Sequence, residues 1–419
     1  MQPASELLDV ERDHQHHDDD VWQSFETFNL LIGFGQPSPH AAYAALRAEA
    51  PVHAGLPHLN MPGNSGDGPP TFSVYSYEAA AQALLDPATF SNAAYFDIVT
   101  KVMGRSLIEM DPPEHREYRS LLQPSLGPKT MGGWQSRFIT PMLDEMTAEL
   151  RSAGHADLVR GFLFTFPMRT FAAILGLPPT QYSAFHRTAI ELLTLSYDVD
   201  KGLASAAKLA DMFAPLLAER RQSPTADLIS VLANAEHDGH RLTDDEICSF
   251  LRLLLPAGAE TTYRSSSSLM VALLSDPEQL DAVRNDPAAL SAAVNEAVRW
   301  ETPLQFVPRL ATRDTELGGV RIPAGSTVMV LIGAANRDPA RWEDPDRFDL
   351  ARPYHSTLGF GYGVHMCLGM HLSKVETEGL VRALLKALPG LRLDPDHPAP
   401  TIEGTLMRSP AHLNVLWDT

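Results

Sequence analysis

Apolar positions recur at helical spacing over most of the chain and alternate strictly only in short stretches. RLTDDEICSFLRLLLPAGAETTYRSSSSLMVALL predicts one long helix. Thr243 with Glu246 three residues on forms a capping box at its start, and Asp276-Pro277 stops it after about Ser275. Pro256 removes a backbone donor in mid-helix and clashes with the preceding turn, and Gly258 weakens the next one. The pair predicts a kink and a groove beside it. LGMHLSKVETEGLVRALLKAL reads as an amphipathic helix from near Leu368, and residues 134 to about 236 as helices broken at Pro178-Pro179 and Pro224. A helix closes at Ala50 and an extended segment runs from Pro51 to Ala54. A Pro/Gly-rich loop, MPGNSGDGPP, precedes a strand in TFSVYSY and a short helix in SYEAAAQALLDPATF, while GGVRIPAGSTVMVL reads as a hairpin and an apolar strand. The sum is a mainly α protein with small β-sheets.

Composition narrows the class. The chain has 419 residues with 44% apolar content, ample for a large core, and a net charge of −19, which argues against a nucleic-acid surface. Two cysteines, Cys248 and Cys367, make no disulfide framework and fit a reducing cytoplasm. Cys248 sits on the helical pattern as core packing. No run of eighteen apolar residues marks a membrane anchor, and the start lacks the order of a signal peptide. Residues 1–25 are polar and acidic, with His14, His16 and His17 beside Asp18 to Asp20. They read as a disordered, solvated tail, leaving 26–419 as a single domain.

Four patterns carry chemistry. Cys367 lies in FGYGVHMCLG, a glycine-rich loop at a helix N-terminus, where amides and the helix dipole favour a thiolate. Alone, it could also be a small buried hydrophobe. His115 and Arg119, spaced i, i+4, share a helix face and are good partners for carboxylates, or an ordinary basic pair on a solvated face. Glu260 beside Thr261, next to the kink, can shuttle protons into an apolar pocket, or the threonine simply bonds back to a carbonyl. Glu296 and Arg299, spaced i, i+3, form a surface pair or a buried structural one.

Together these residues resemble the signatures of the cytochrome P-450 family. Phe360, Gly361, Gly363, His365, Cys367 and Gly369 match its haem loop, and AGAETT its oxygen-activating motif. DPPEHREYR is similar to its haem-propionate helix, and Glu296-x-x-Arg299 to its ExxR. The resemblance implies the family fold, a triangular prism with haem b (iron protoporphyrin IX) between the family's I and L helices. It implies Cys367 as the iron ligand and His115, Arg119 and Arg309 at the propionates. Ala257 and Gly258, with Phe360, Gly361, His365 and Gly369, would lie against the haem, and Glu260 and Thr261 would steer protons. Glu296 and Arg299 would brace the cysteine region. Leu253, Ala257, Gln305, Phe306, Leu406 and Met407 would face the substrate, with Gln305 as a polar contact. His355 stands two positions before the site where members often carry a histidine, here Thr357.

The activity so implied is insertion of one oxygen atom of dioxygen into a C–H or C=C bond of a hydrophobic small molecule, by a bacterial-type monomer in the cytoplasm. Two electrons would come from a separate ferredoxin and its reductase, docking by a basic patch that includes Arg116 and Lys374. A peroxide-driven peroxygenase is the first rival, disfavoured by the Glu260-Thr261 pair. A non-enzymatic haem sensor or carrier is the second, disfavoured by the lack of a signalling or DNA-binding segment.

Overall fold

A computed structural model describes residues 21–55, 69–196, 198–237 and 239–419. The histidine-rich start and most of the MPGNSGDGPP loop lie outside these residues. Helices dominate, with one five-stranded sheet and several small ones. In the larger sheet Val52–Ala54, Thr71–Val74, Thr327–Val330, Val307–Ala311 and Phe90–Ser91 lie side by side in that order. Thr71–Val74 and Thr327–Val330 run parallel, and the other neighbours are antiparallel. The hairpin expected from GGVRIP is Thr315–Leu317 with Val320–Ile322.

The long helix is present and broken where proline predicts it. Thr243 caps Asp244–Leu255 with the reciprocal Glu246 contact. Pro256–Glu260 is a π-turn, and Thr261–Ser275 continues as α-helix. A π-turn carries one extra residue, which re-aims the side chains on either side of it. The cysteine helix, Met370–Ala387, begins two residues later than the pattern indicated and packs across Thr261–Ser275.

Two expectations change. Residues 21–31 form a helix, and Val21, Trp22, Phe25 and Phe28 are buried, so residues 21–25 belong to the folded body and not to a solvated tail. The polar stretch before them masked this amphipathic turn. The segment from 134 to 236 is also interrupted by a strand, His155–Asp157, which pairs with Asn414–Leu416 near the C-terminus. No local signal announces a partner so distant in sequence.

Glu296 and Arg299 are buried and doubly bonded, 2.8 Å in both arms. Arg352 adds a bond to Glu296 at 3.0 Å, and Arg299 donates to the carbonyls of Pro345, Arg347 and Asn336. The pair thus ties its helix, Pro287–Trp300, to the irregular segment that leads into the cysteine loop. Breaking a buried pair leaves an uncompensated charge. Arg299→Ala is expected to lower stability by about 3–5 kcal/mol, measured by denaturant unfolding.

His186, on the helix Tyr182–Leu193, is buried against the Phe164 ring at 4.5 Å. Burial pushes its pKa from 6.5 down to about 3. Below pH 6.5 the unfolded chain therefore binds a proton that the native state refuses. This contribution to stability is complete above pH 6.5 and is lost as pH falls toward 3. The denaturation midpoint of His186→Leu is expected to fall less steeply with acidification than that of wild type.

Candidate functional site

The kinked helix, the cysteine loop and helix, the helix Glu114–Leu122 and the strand Val307–Ala311 surround one cavity. Cys367 lies in its wall, as do Phe360, Gly361, His365 and Gly369. Gly361 and Gly363 have φ of +71° and +73°, and a Cβ on Gly363 would stand 2.9 Å from the Leu84 carbonyl. Only glycine lets the loop fold this tightly. Leu253, Ala257, Gly258 and Thr261 come from the kinked helix. Thr261 Oγ1 donates to the Ala257 carbonyl at 2.8 Å, across the π-turn.

The cysteine is less acidic here than its loop implied. Burial raises its pKa above the ordinary thiol value, against the pull of the Gly369 and Met370 amides and of Arg119. Desolvation disfavours an unpaired thiolate, so this sulfur needs a cation to hold its charge.

The rest of the site tests whether haem fits. His115, Arg119, Arg309 and Tyr95 line the same cavity. The His115 and His365 rings lie 4.1 Å apart, and each keeps one buried nitrogen, Nδ1 and Nε2 respectively, without a partner. Burial lowers the pKa of His115 to about 4 and also lowers those of Arg119 and Arg309. Asp111, 4.0 Å from His365, is the nearby acid. Buried donors in this number call for an anion. A flat, largely apolar group with two carboxylates and a metal for the sulfur satisfies all of them at once. The residues present fit haem.

Several expected pocket residues lie elsewhere. Gln305 is fully buried, and its Nε2 donates to the Thr302 carbonyl at 2.6 Å. Its backbone is held on both sides, by the Leu406 carbonyl and the Gly333 amide. Phe306 packs with Tyr43, Tyr75, Met329 and Leu331, and Leu406 against the same cluster. Met407 joins the main core. None of the four lines the cavity; Leu304 and Val307 do instead. His355 lines a separate cleft outside this cavity.

Glu260 also departs from expectation. It is buried and absent from the cavity wall, bonded by Arg264 Nε at 2.7 Å. Arg264 is itself fully buried, donating to Asn29 Oδ1 at 2.8 Å and Ser409 Oγ at 3.0 Å. Positions 257, 261 and 265 share the cavity face, and 260 and 264 share another. The acid and the alcohol are thus neighbours in sequence but not on one face. Missed residues include Phe250 and Leu254, which continue the same helical face, and Tyr95, Phe171 and Glu376, for which no motif existed.

The profile of the cytochrome P-450 family matches residues 192–415. Nocardicin C N-oxygenase of Nocardia uniformis subsp. tsuyamanensis is 33% identical over 406 residues, 92% of this chain and 98% of that one. Vitamin D(3) 25-hydroxylase of Pseudonocardia autotrophica is 33% identical over 377 residues, 88% of this chain and 91% of that one. Among solved structures, a cytochrome P-450 of Chondromyces apiculatus superposes with a TM-score of 0.81 at 31% identity, covering 91% of this chain and 96% of the other. One from Bacillus megaterium in complex with testosterone gives 0.81 at 27% identity, covering 91% and 100%. The cavity with its cysteine, the orphaned propionate-type donors and these likenesses agree: the chain belongs to the cytochrome P-450 family, monooxygenases whose cofactor is iron protoporphyrin IX.

Proposed function

We propose that Cys367 binds the haem iron and that the chain hydroxylates a predominantly apolar small molecule, with electrons from a separate ferredoxin and reductase in the cytoplasm. The observation that carries this is Cys367 in the wall of a cavity where His115 Nδ1 and His365 Nε2 are buried without a hydrogen-bond partner. When bound, haem supplies dioxygen activation and insertion of oxygen into a C–H bond. The chain's own residues orient and shield it. Arg119, His115, Arg309 and Tyr95 would hold the propionates, and the amides of Gly369 and Met370 would temper the charge on the sulfur. Phe171, Phe250, Leu253, Leu254, Leu304 and Val307 keep the cavity dry and set its apolar selectivity. Thr261 offers a hydroxyl on the same wall. Relatives named for vitamin D(3) and for a steroid, and a neighbour holding testosterone, support a bulky apolar substrate. Among the described residues no helix is long and apolar enough to cross a membrane.

The direct test is the carbonyl complex of the reduced protein. Wild type is expected to show the strongly red-shifted band of a haem thiolate, and Cys367→Ser to lose it. A wild type that never takes up iron protoporphyrin, or a serine variant that keeps the band, defeats the assignment.

Arg116 is exposed, and Lys374 lies over the Phe360 ring at 5.7 Å, close to the sulfur-bearing loop. An acidic electron donor docking there would be steered by charge. Reversal of both, Arg116→Glu with Lys374→Glu, is expected to slow first-electron transfer at low salt, with the difference shrinking as salt rises. Stopped-flow reduction that is unchanged at every salt concentration excludes this docking face.

A further inference from the structure

A second cleft opens beside the cysteine loop. Asn295, Trp342, Tyr354 and Lys374 line it, and so do Phe360, Gly361, Tyr362 and Met366. The last four also line the cavity, so this stretch of the loop is the partition between the two. Phe360 is tied directly to the sulfur-bearing residue, because the Cys367 amide donates to its carbonyl at 2.7 Å. Lys374 belongs to the cleft side alone, and its Nζ stands over the Phe360 ring, 5.7 Å from the centroid.

Lys374 is half-buried on the helix Met370–Ala387. No hydrogen bond or ion pair from another described residue meets its ammonium. Glu378, one turn on, bonds Arg382 instead, at 3.1 Å. The carboxylates of the cleft are engaged elsewhere: Glu296 with Arg299 and Arg352, and Asp349 with Arg347 at 3.7 Å. A lone cation over an aromatic face is attracted by the negative face of the ring, which holds it in place. Burial lowers the pKa of this amine, the mark of an ammonium partly stripped of water, and Glu378 pulls weakly the other way. A charge so placed acts across the partition with less screening than one in open solvent.

We propose that the Lys374 ammonium, held on the Phe360 ring, raises the reduction potential of the site and so eases arrival of the first electron. The proposal rests on the haem–thiolate reading. Lys374 acts here as a positioning residue for charge, through Phe360 and the loop, without entering the cavity. Reduction moves one electron from the external donor to the bound cofactor, and no bond in the protein is made or broken. The site becomes one charge more negative, and a fixed cation nearby favours that state. This role is separate from docking, because it persists when no partner protein is present.

Spectroelectrochemical titration of the haem-loaded protein, with small soluble mediators and no partner protein, tests this. Lys374→Met is expected to lower the reduced-to-oxidised ratio at a fixed potential roughly tenfold, which is about 59 mV for one electron. Lys374→Gln should do the same and decides the matter if the methionine variant folds poorly. Lys374→Arg should keep the wild-type potential. Lys386→Met removes the same charge from an exposed position on the same helix and should change nothing. In a Phe360→Leu background the ammonium loses its hold, and Lys374→Met should then lower the potential far less. An unchanged potential in Lys374→Met and Lys374→Gln overturns the proposal. So does an equal fall in Lys374→Arg or Lys386→Met, or a full-sized fall in the Phe360→Leu background. The carbonyl spectrum separates the two readings. Its absence in wild type defeats haem–thiolate binding, whereas its presence with a potential indifferent to Lys374 defeats this proposal alone.

Discussion

The structure depends on a concentration of buried positive charge and open hydrogen-bond donors around one sulfur. Arg309 and His115 are buried, and Arg119 and His365 half-buried, in the wall of a cavity where no ion pair closer than the 4.0 Å His365–Asp111 contact meets them among the described residues. Taking such groups out of water is expensive, and the cost is offset only when an anion arrives. The protein is therefore built to be completed by its cofactor. Burial raises the thiol pKa of Cys367, and the positive charge of an iron ion against the sulfur would outweigh that penalty.

The contrast with nearby ion pairs makes the point sharper. Glu296 is saturated by Arg299 and Arg352. Glu301 is met by His40, Arg337 and Arg408, which together hold its carboxyl well below the usual range. Where the fold needs only itself, its buried charges are balanced within the chain. Where balance fails, at the cation cluster, the unmet groups face the cavity. Electrostatic incompleteness thus marks where the chemistry is done, while complete networks mark the frame around it.

Much of this was legible in the amino-acid sequence because the relevant signals are local. A proline followed by glycine in an apolar helical run sufficed to place the kink, and the threonine–glutamate capping box its start. Three glycines within the ten residues of FGYGVHMCLG fixed the cysteine loop. What escaped notice was set by distant contacts. Gln305 looks polar and available, but Thr302, Leu406 and Gly333 claim it from three directions. Glu260 sits beside Thr261 in the chain, yet a helix turns neighbours about 100° apart, and an arginine one turn on captures the acid. Lys374 is one more polar position on an amphipathic pattern until packing sets it over Phe360.

Arg264 has a consequence for how the protein comes into being. Its guanidinium is gripped by Asn29, near one end of the chain, and by Ser409, near the other, within a cage of Phe25, Phe34 and Tyr263 rings. A ribosome delivers Asn29 long before Ser409. The helix at residues 21–31 must wait for residue 409 to be made before its anchor on Arg264 can close, so this buried arginine is satisfied late in synthesis.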